Sequence, residues 1–246
     1  FDTQSYNVTL SIFNSDNSNV RTINWGSSTI SASTGAVPFQ VNSTNLTFNA
    51  GTSTFSTSSG NSTITVTGGV TFYNLTFAAT ATIPIISGTN TFTNLTVTAP
   101  ASAGINVLTF SGNQTITGTL TCAGASAVRR IFLRSNTNGT QRDLTVGTLS
   151  ANDCDFRDID ILGAAAGTAP TRAGDCGGNA GITFPAAKTV YWNLAGTQNW
   201  SSTGWCPSSG GTPDINQFPL AQDTAVFDNT GSVTGTITIN AAWNIG

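Results

Sequence analysis

The chain has 246 residues, a net charge of −3, and only 8% charged residues, compared with about 25% in an ordinary globular protein. This balance excludes a general attraction to nucleic-acid phosphates, and no apolar run approaches the roughly 20 residues of a membrane span. Because 38% of the residues are hydrophobic and alternate with polar ones, we expect a folded chain rather than a disordered one.

Residues 1–150 form a Thr/Asn-rich region in which apolar and polar residues alternate, for example in segments 8–12, 64–66 and 116–120. A period of two predicts strands with one buried face, and the Gly, Asn, Ser and Pro residues between them predict turns. Asn-Leu-Thr recurs at Asn45, Asn74 and Asn94, and the last two copies are about 20 residues apart, which is close to one coil of a β-solenoid.

These patterns predict an all-β chain built as a β-solenoid, a stack resembling a parallel β-helix. Stacked coils bury a continuous core that no single coil could bury alone. Consecutive antiparallel β-sandwich domains use the same alternation and remain the alternative.

Residues 151–187 form an acidic corner followed by a loop of small residues. Cys154 and Phe156 are expected on one strand face, and the phase is expected to reverse between Phe156 and Arg157, as at a solenoid corner or bulge. Outward carboxylates here are candidate calcium ligands, because Ca²⁺ prefers several oxygen ligands. The candidates are Asp153, Asp155, Asp158 and Asp160.

Two other interpretations of these carboxylates stay open. The simpler one is a solvated strand face with Arg157 as counter-ion. A carboxylate pair would also serve glycoside hydrolysis. However, the chain has no His, and no Lys or Arg cluster lies near enough in sequence to orient acidic sugars, so we expect no enzyme activity. Arg129, Arg130 and Arg134 are interpreted as a surface cluster or a subunit contact.

Four cysteines are disulfide candidates: Cys122, Cys154, Cys176 and Cys206. Four cysteines allow three pairings, which the sequence does not distinguish, and four separate buried thiols fit equally well. Without His or a Cys-x-x-Cys motif, a zinc site is not expected. The expectation is no cofactor, apart from calcium at the acidic corner.

Residues 188–246 form a Trp-rich segment followed by the expected start of a further β-repeat. An exposed aromatic cluster could stack on sugar rings, but rings that cover the end of a solenoid stack are the favoured interpretation. The aromatic residues concerned are Tyr191, Trp192, Trp200 and Trp205.

The Trp-rich segment resembles a repeat found in large proteins of bacteriophage tails and fibres and in passenger-type bacterial surface adhesins. The residues that carry this resemblance are Tyr191-Trp192-Asn193, Asn199-Trp200, Gly204-Trp205 and the run from Pro219 to Phe227, with weaker matches at 155–159 and 174–179. In such proteins this segment precedes a new run of solenoid strands, here 233–245. The resemblance is specific as a repeat signature and transfers no catalytic residue.

The resemblance implies a structural or adhesive segment of a phage fibre, tail or capsid-surface protein, located on the virion surface. A bacterial cell-surface adhesin or extracellular filament subunit is the alternative, and a polysaccharide-active β-helix enzyme is the third. The expected partners are further copies of the chain in a homo-oligomer, other virion or surface proteins and a host-surface glycan, with no nucleic acid. Because the chain begins at Phe1 and contains no Met, we expect a segment of a longer polypeptide.

Overall fold

The computed structural model describes residues 1–228, 230 and 234–245, and strands are its main elements. Two short 3₁₀ helices lie at Gly163–Ala165 and Ile215–Gln217. In chain order the strands are β1 (Val8–Leu10), β2 (Phe13–Ser15), β3 (Arg21–Asn24), β4 (Thr29–Ala32), β5 (Phe39–Asn42), β6 (Leu46–Asn49), β7 (Thr54–Thr57), β8 (Thr63–Thr67), β9 (Thr71–Phe77), β10 (Ile85–Ile86), β11 (Asn90–Val97), β12 (Gly104–Phe110), β13 (Gln114–Thr121), β14 (Arg129–Ser135), β15 (Arg142–Ser150), β16 (Cys154–Arg157), β17 (Ile159–Leu162), β18 (Gly174–Asp175), β19 (Thr189–Trp192), β20 (Gln198–Asn199), β21 (Trp205–Cys206), β22 (Thr224–Val226) and β23 (Ile237–Thr238).

Two eight-stranded sheets organise most of the chain. The first sheet has the order β1-β4-β7-β9-β11-β13-β15-β17, and the second has the order β2-β5-β8-β10-β12-β14-β16-β18. Neighbouring strands within both sheets are parallel. The prediction of an all-β chain is confirmed, and the long parallel sheets are compatible with a β-helix-like fold rather than with antiparallel sandwiches.

The chain passes between the two sheets repeatedly, and β3 and β6 add a small parallel sheet near its start. We call residues 1–182 the coil stack, because the last parallel bridge to it joins Thr168 and Ile182. Strands β16, β17 and β18 continue both large sheets beyond residue 150. The acidic corner is therefore built into the same sheets as the Thr/Asn-rich region.

The interior of the coil stack is one hydrophobic cluster that runs its whole length. Parallel register places like residues above one another, so Phe13 stacks on Phe39 with ring centroids 5.5 Å apart and planes 12° from parallel. Phe72 and Phe92 repeat this arrangement at 5.3 Å. Such offset aromatic pairs add stabilisation beyond the area that they bury.

Amide ladders follow the same register outside the core. The side chain of Asn94 donates to Oδ1 of Asn74 at 2.9 Å, and Asn74 donates to Oγ1 of Thr54 at 3.1 Å. A second ladder joins Asn49 to Asn24 at 2.7 Å and Asn24 to Asp2 at 3.3 Å. Neutral side chains suit these positions because stacked like charges would repel each other.

The Trp-rich segment has a hydrophobic core of its own. Strand β19 pairs antiparallel with β21 and parallel with β22, while β20 pairs parallel with β23. This core also takes in Ala127 from the turn before β14, which attaches the segment to the side of the coil stack.

The last described residues contact both the Trp-rich segment and the coil stack. Trp243 packs against Phe218 with ring centroids 5.0 Å apart, and Nδ2 of Asn244 donates to Oδ2 of Asp155 at 2.8 Å. The expected further run of strands at 233–245 includes Val233, which lies outside the described residues, and β23 is the strand found in the remainder. In residues 1–228, 230 and 234–245, no helix has the length and apolar character needed to cross a membrane.

Candidate functional site

Two arginines lie side by side on the outer face of the second sheet. Strand β14 buries Ile131 and Leu133 in the core, so the alternate residues Phe132 and Arg134 point outward. In the parallel pairing with β16, Arg134 lies directly opposite Arg157. Neighbouring strands are about 4.8 Å apart, which places two guanidinium-bearing side chains next to each other.

The aromatic ring of Phe132 lies next to both guanidinium groups of this pair. The guanidinium carbon of Arg134 lies 5.9 Å from the ring centroid, and that of Arg157 lies 5.6 Å from it. A cation within about 6 Å of an aromatic face gains electrostatic attraction from the ring. The aromatic ring therefore fixes two flexible side chains on one surface.

The positive charge of the pair is only partly compensated. Nε of Arg157 lies 3.6 Å from Oδ2 of Asp158, but it has no hydrogen-bond partner among the described residues. Oδ2 of Asp158 instead accepts from the backbone N–H of Gly139 at 3.1 Å. Among the residues that the structure describes, Arg134 makes a single hydrogen bond, which its Nε donates to Oγ1 of Thr109 at 3.1 Å.

This environment lowers the pKa of Arg134. Partial burial lowers the pKa of Arg134 below its ordinary value, and the neighbouring charge of Arg157 lowers it further. Both effects disfavour the charged form of the guanidinium group.

The pair opens into a groove of about 760 Å³. Besides the two arginines, polar side chains from β12 and from the loop after β14 line it. We call this groove, lined by Thr109, Arg134, Asn136, Thr137, Asn138 and Arg157, the arginine groove. Its side chains supply guanidinium, amide and hydroxyl groups, which can bind an anion that also carries hydroxyl groups.

A second charged cluster on the same face is buried. Arg130 has 2% of its side chain exposed and Asp155 has 3%, and Nε of Arg130 donates to Oδ1 of Asp155 at 3.0 Å. Arg172 closes the cluster through two hydrogen bonds to Asp153, at 2.6 and 2.7 Å. Gly174 lies directly against Asp155, where a Cβ atom would collide with the carboxylate.

The structure does not gather the predicted calcium ligands into a metal site. Asp153 and Asp155 face Arg130 and Arg172, and Asp158 accepts from a backbone amide. Asp160 lies half-buried in β17. Within the described ranges no three acidic or cysteine side chains converge in a way that could hold a metal ion. Arginine counter-ions occupy the positions that a cation would take.

The phase reversal expected between Phe156 and Arg157 is wrong by one residue. Arg157 continues the outward set of β16, and the chain turns at Asp158, whose φ of 55° breaks the strand. Asp and Asn tolerate this left-handed conformation better than most residues. A reversal between Phe156 and Arg157 would place Arg157 on the face opposite to the one that it occupies.

The tryptophans of the aromatic cluster cannot stack on glycans, because Trp192, Trp200 and Trp205 are buried. Trp205 packs edge-on against Trp192 at 5.1 Å and against Trp200 at 4.7 Å. They form the core of the Trp-rich segment, which is separate from the hydrophobic cluster inside the coil stack, and the covering of the stack end stays a prediction. Tyr191 is half-buried on the neighbouring position of β19.

The four disulfide candidates are free thiols. Cys122, Cys154 and Cys206 are buried, and Cys176 is half-buried. Burial, together with a hydrogen bond to the thiol of Cys122, raises the pKa of Cys154 well above its ordinary value. Burial and the nearby charges of Asp155 and Asp175 raise the pKa of Cys176 to about 12.

Sequence reasoning missed the arginine groove, since Arg134 and Arg157 lie in different coils. The signal in the sequence is the outward alternation of both strands, which places Arg134 and Arg157 on outer faces but does not fix their register. Comparison of the chain with protein-family models, with curated proteins and with solved structures found no match.

Proposed function

We propose that this chain is a β-solenoid segment of a surface structural protein, as in a phage fibre, tail or capsid-surface protein. The observation that carries the proposal is the unbroken parallel pairing of eight strands in each of two sheets. In a solenoid each coil contacts only its neighbours, so the fold extends in one direction and presents its sides to solvent.

The dimensions and surface of the coil stack suit a spacer. Eight strands at about 4.8 Å spacing span roughly 34 Å along the stack. Neutral amide ladders such as Asn74–Asn94 tie successive coils together without the repulsion that stacked charges would bring. We propose that the coil stack has a mechanical role: it holds its shape and presents side faces and loops for attachment. We further propose that copies of the chain associate with one another and with other surface proteins.

A bacterial cell-surface adhesin or filament subunit is the second candidate, because the arginine groove is an attachment surface that would serve a cell as well as a virion. An enzyme is the weaker candidate. The carboxylates of Asp153 and Asp155 are buried and paired with arginines. A general acid or base must instead reach its substrate.

Immunogold electron microscopy with antibodies to the chain tests the proposal. Gold particles on the surface of purified virions support the phage role, and gold on intact cells without virions supports the adhesin. Labelling confined to the interior of sectioned cells contradicts both surface roles.

A further inference from the structure

We infer that the arginine groove binds an acidic saccharide, with Arg134 and Arg157 holding its carboxylate or sulfate group. This inference names the ligand class of the proposed attachment surface and therefore rests on that proposed function.

The two arginines of the groove bring like charges together. Like charges directly opposite each other on neighbouring strands destabilise a sheet. The parallel register nevertheless places Arg134 opposite Arg157, and the nearest carboxylate, that of Asp158, lies beside Arg157 alone. An anion bound between the two guanidinium groups would turn this repulsion into two attractive contacts.

The guanidinium groups have hydrogen-bonding capacity to spare. Each guanidinium group carries five N–H donors, whose planar fork matches the oxygens of a carboxylate or a sulfate. Within the described residues, Arg134 uses only Nε for a hydrogen bond. The outer guanidinium nitrogens of Arg134 are therefore available to an anion.

The remaining side chains of the groove suit the rest of a sugar ligand. Thr109, Thr137, Asn136 and Asn138 line the same groove and offer both donors and acceptors, as sugar hydroxyls require. Ile85 adds an apolar edge, 36% exposed, against which the C–H face of a sugar ring can pack. A volume of about 760 Å³ lies within the range of small-ligand sites.

A non-specific polyanion does not fit this surface. The chain carries a net charge of −3, so it has no long-range attraction for nucleic acid. The arginine groove places two adjacent guanidinium groups among polar side chains, which suits a single anionic group with hydroxyl neighbours. An acidic sugar has this chemistry.

Isothermal titration calorimetry on the whole chain tests the inference with three probes: oligogalacturonate, a neutral maltooligosaccharide of equal length, and sodium sulfate. We expect the uronate to bind, the neutral sugar to bind at least about tenfold more weakly, and uronate affinity to fall with added salt. Binding of sulfate alone would overturn the saccharide assignment. Equal binding of the acidic and neutral sugars would overturn the role of the arginines.

The variants are Arg134→Gln and Arg157→Gln, with Arg129→Gln on the same strand as the matched control. Each groove variant should weaken uronate binding by about tenfold, and the control should leave it unchanged. If a groove variant does not fold, the inference is tested on the unaltered chain alone. The measurements are then the salt dependence of uronate binding and the preference for the acidic over the neutral sugar. No uronate binding by a chain that labels particle or cell surfaces would refute the groove assignment and leave the proposed surface role standing.

Discussion

Arg130 and Asp155 form an ion pair that is almost completely excluded from water, with Nε of Arg130 donating to Oδ1 of Asp155 at 3.0 Å. The carboxylate also accepts from Asn244, so the pair joins β14, β16 and the last described residues at one point. A buried charge is tolerated only while its partner remains, since either ion alone would keep the cost of leaving water.

Replacing Arg130 by Met should lower the free energy of unfolding by about 3–5 kcal/mol, because Asp155 would remain buried without its partner. Urea denaturation followed by circular dichroism measures this loss. The double variant Arg130→Met/Asp155→Leu should recover most of it, and Arg129→Met, at a more exposed position, is the control. An Arg130→Met variant as stable as the unaltered chain would show that the pair is not buried.

Replacing Arg134 by Gln should leave the free energy of unfolding unchanged or raise it, by up to about 1 kcal/mol at low salt. The variant removes the repulsion from Arg157 and loses a single hydrogen bond to Thr109. Urea denaturation at low and high sodium chloride separates the two effects, because salt should abolish any gain. A loss greater than about 1 kcal/mol at low salt would mean that Arg134 is a structural residue rather than a free binding group.

Replacing Asn94 by Ala should lower the free energy of unfolding by about 1–2 kcal/mol. The change leaves Oδ1 of Asn74 and the backbone N–H of Thr119 without their partner, at half-buried positions. The control is Asn138→Ala, at an exposed position in the loop after β14, where the loss should be under about 0.5 kcal/mol. Equal losses in the two variants would argue against a stabilising ladder.

Cys176 should make the chain sensitive to alkali. Its thiol has a reference pKa of 9.0, which burial and neighbouring carboxylates raise to about 12 in the folded chain. Between those values the unfolded chain has lost the proton and the folded chain keeps it, so stability is fully present below pH 9 and falls as the pH rises toward 12.

The unaltered chain should therefore lose about 2 kcal/mol of unfolding free energy relative to Cys176→Ser when the pH is raised from about 8 to about 10.5. Urea denaturation of both proteins at the two pH values measures this difference. The titration of other groups cancels, because both proteins carry the same ones. In the folded chain the same thiol should react slowly with iodoacetamide at neutral pH, because little thiolate is present. A difference independent of pH, with rapid alkylation, would contradict the raised pKa.

The regular part of the fold follows from local pattern, while the site depends on contacts across coils. Asn74 and Asn94 repeat the same seven-residue motif, and the structure places them in register. Asn45 carries the same tripeptide but lies in a turn with φ of 54°, just before a strand of the small sheet. Identical tripeptides can thus serve a strand or a turn, depending on their position in the coil.

Irregular coil length explains why the arginine groove was not predicted. Side-chain hydrogen bonds between neighbouring coils span 20 residues at Asn94–Asn74, 25 at Asn49–Asn24 and 30 at Asn113–Asp143. With such variation, the register of β14 against β16 cannot be counted from the sequence. The tryptophan core likewise includes a residue from a distant part of the chain, Ala127 of the coil stack.

The central claim is that the chain is a structural part of an extracellular surface. Quantitative mass spectrometry across a density gradient of lysate tests it most directly, with the fractions washed in high salt before measurement. The account predicts that the chain sediments with virions or cell envelopes in a fixed ratio to their structural proteins and resists the wash. Recovery at the top of the gradient with soluble proteins, at no fixed ratio, would contradict it.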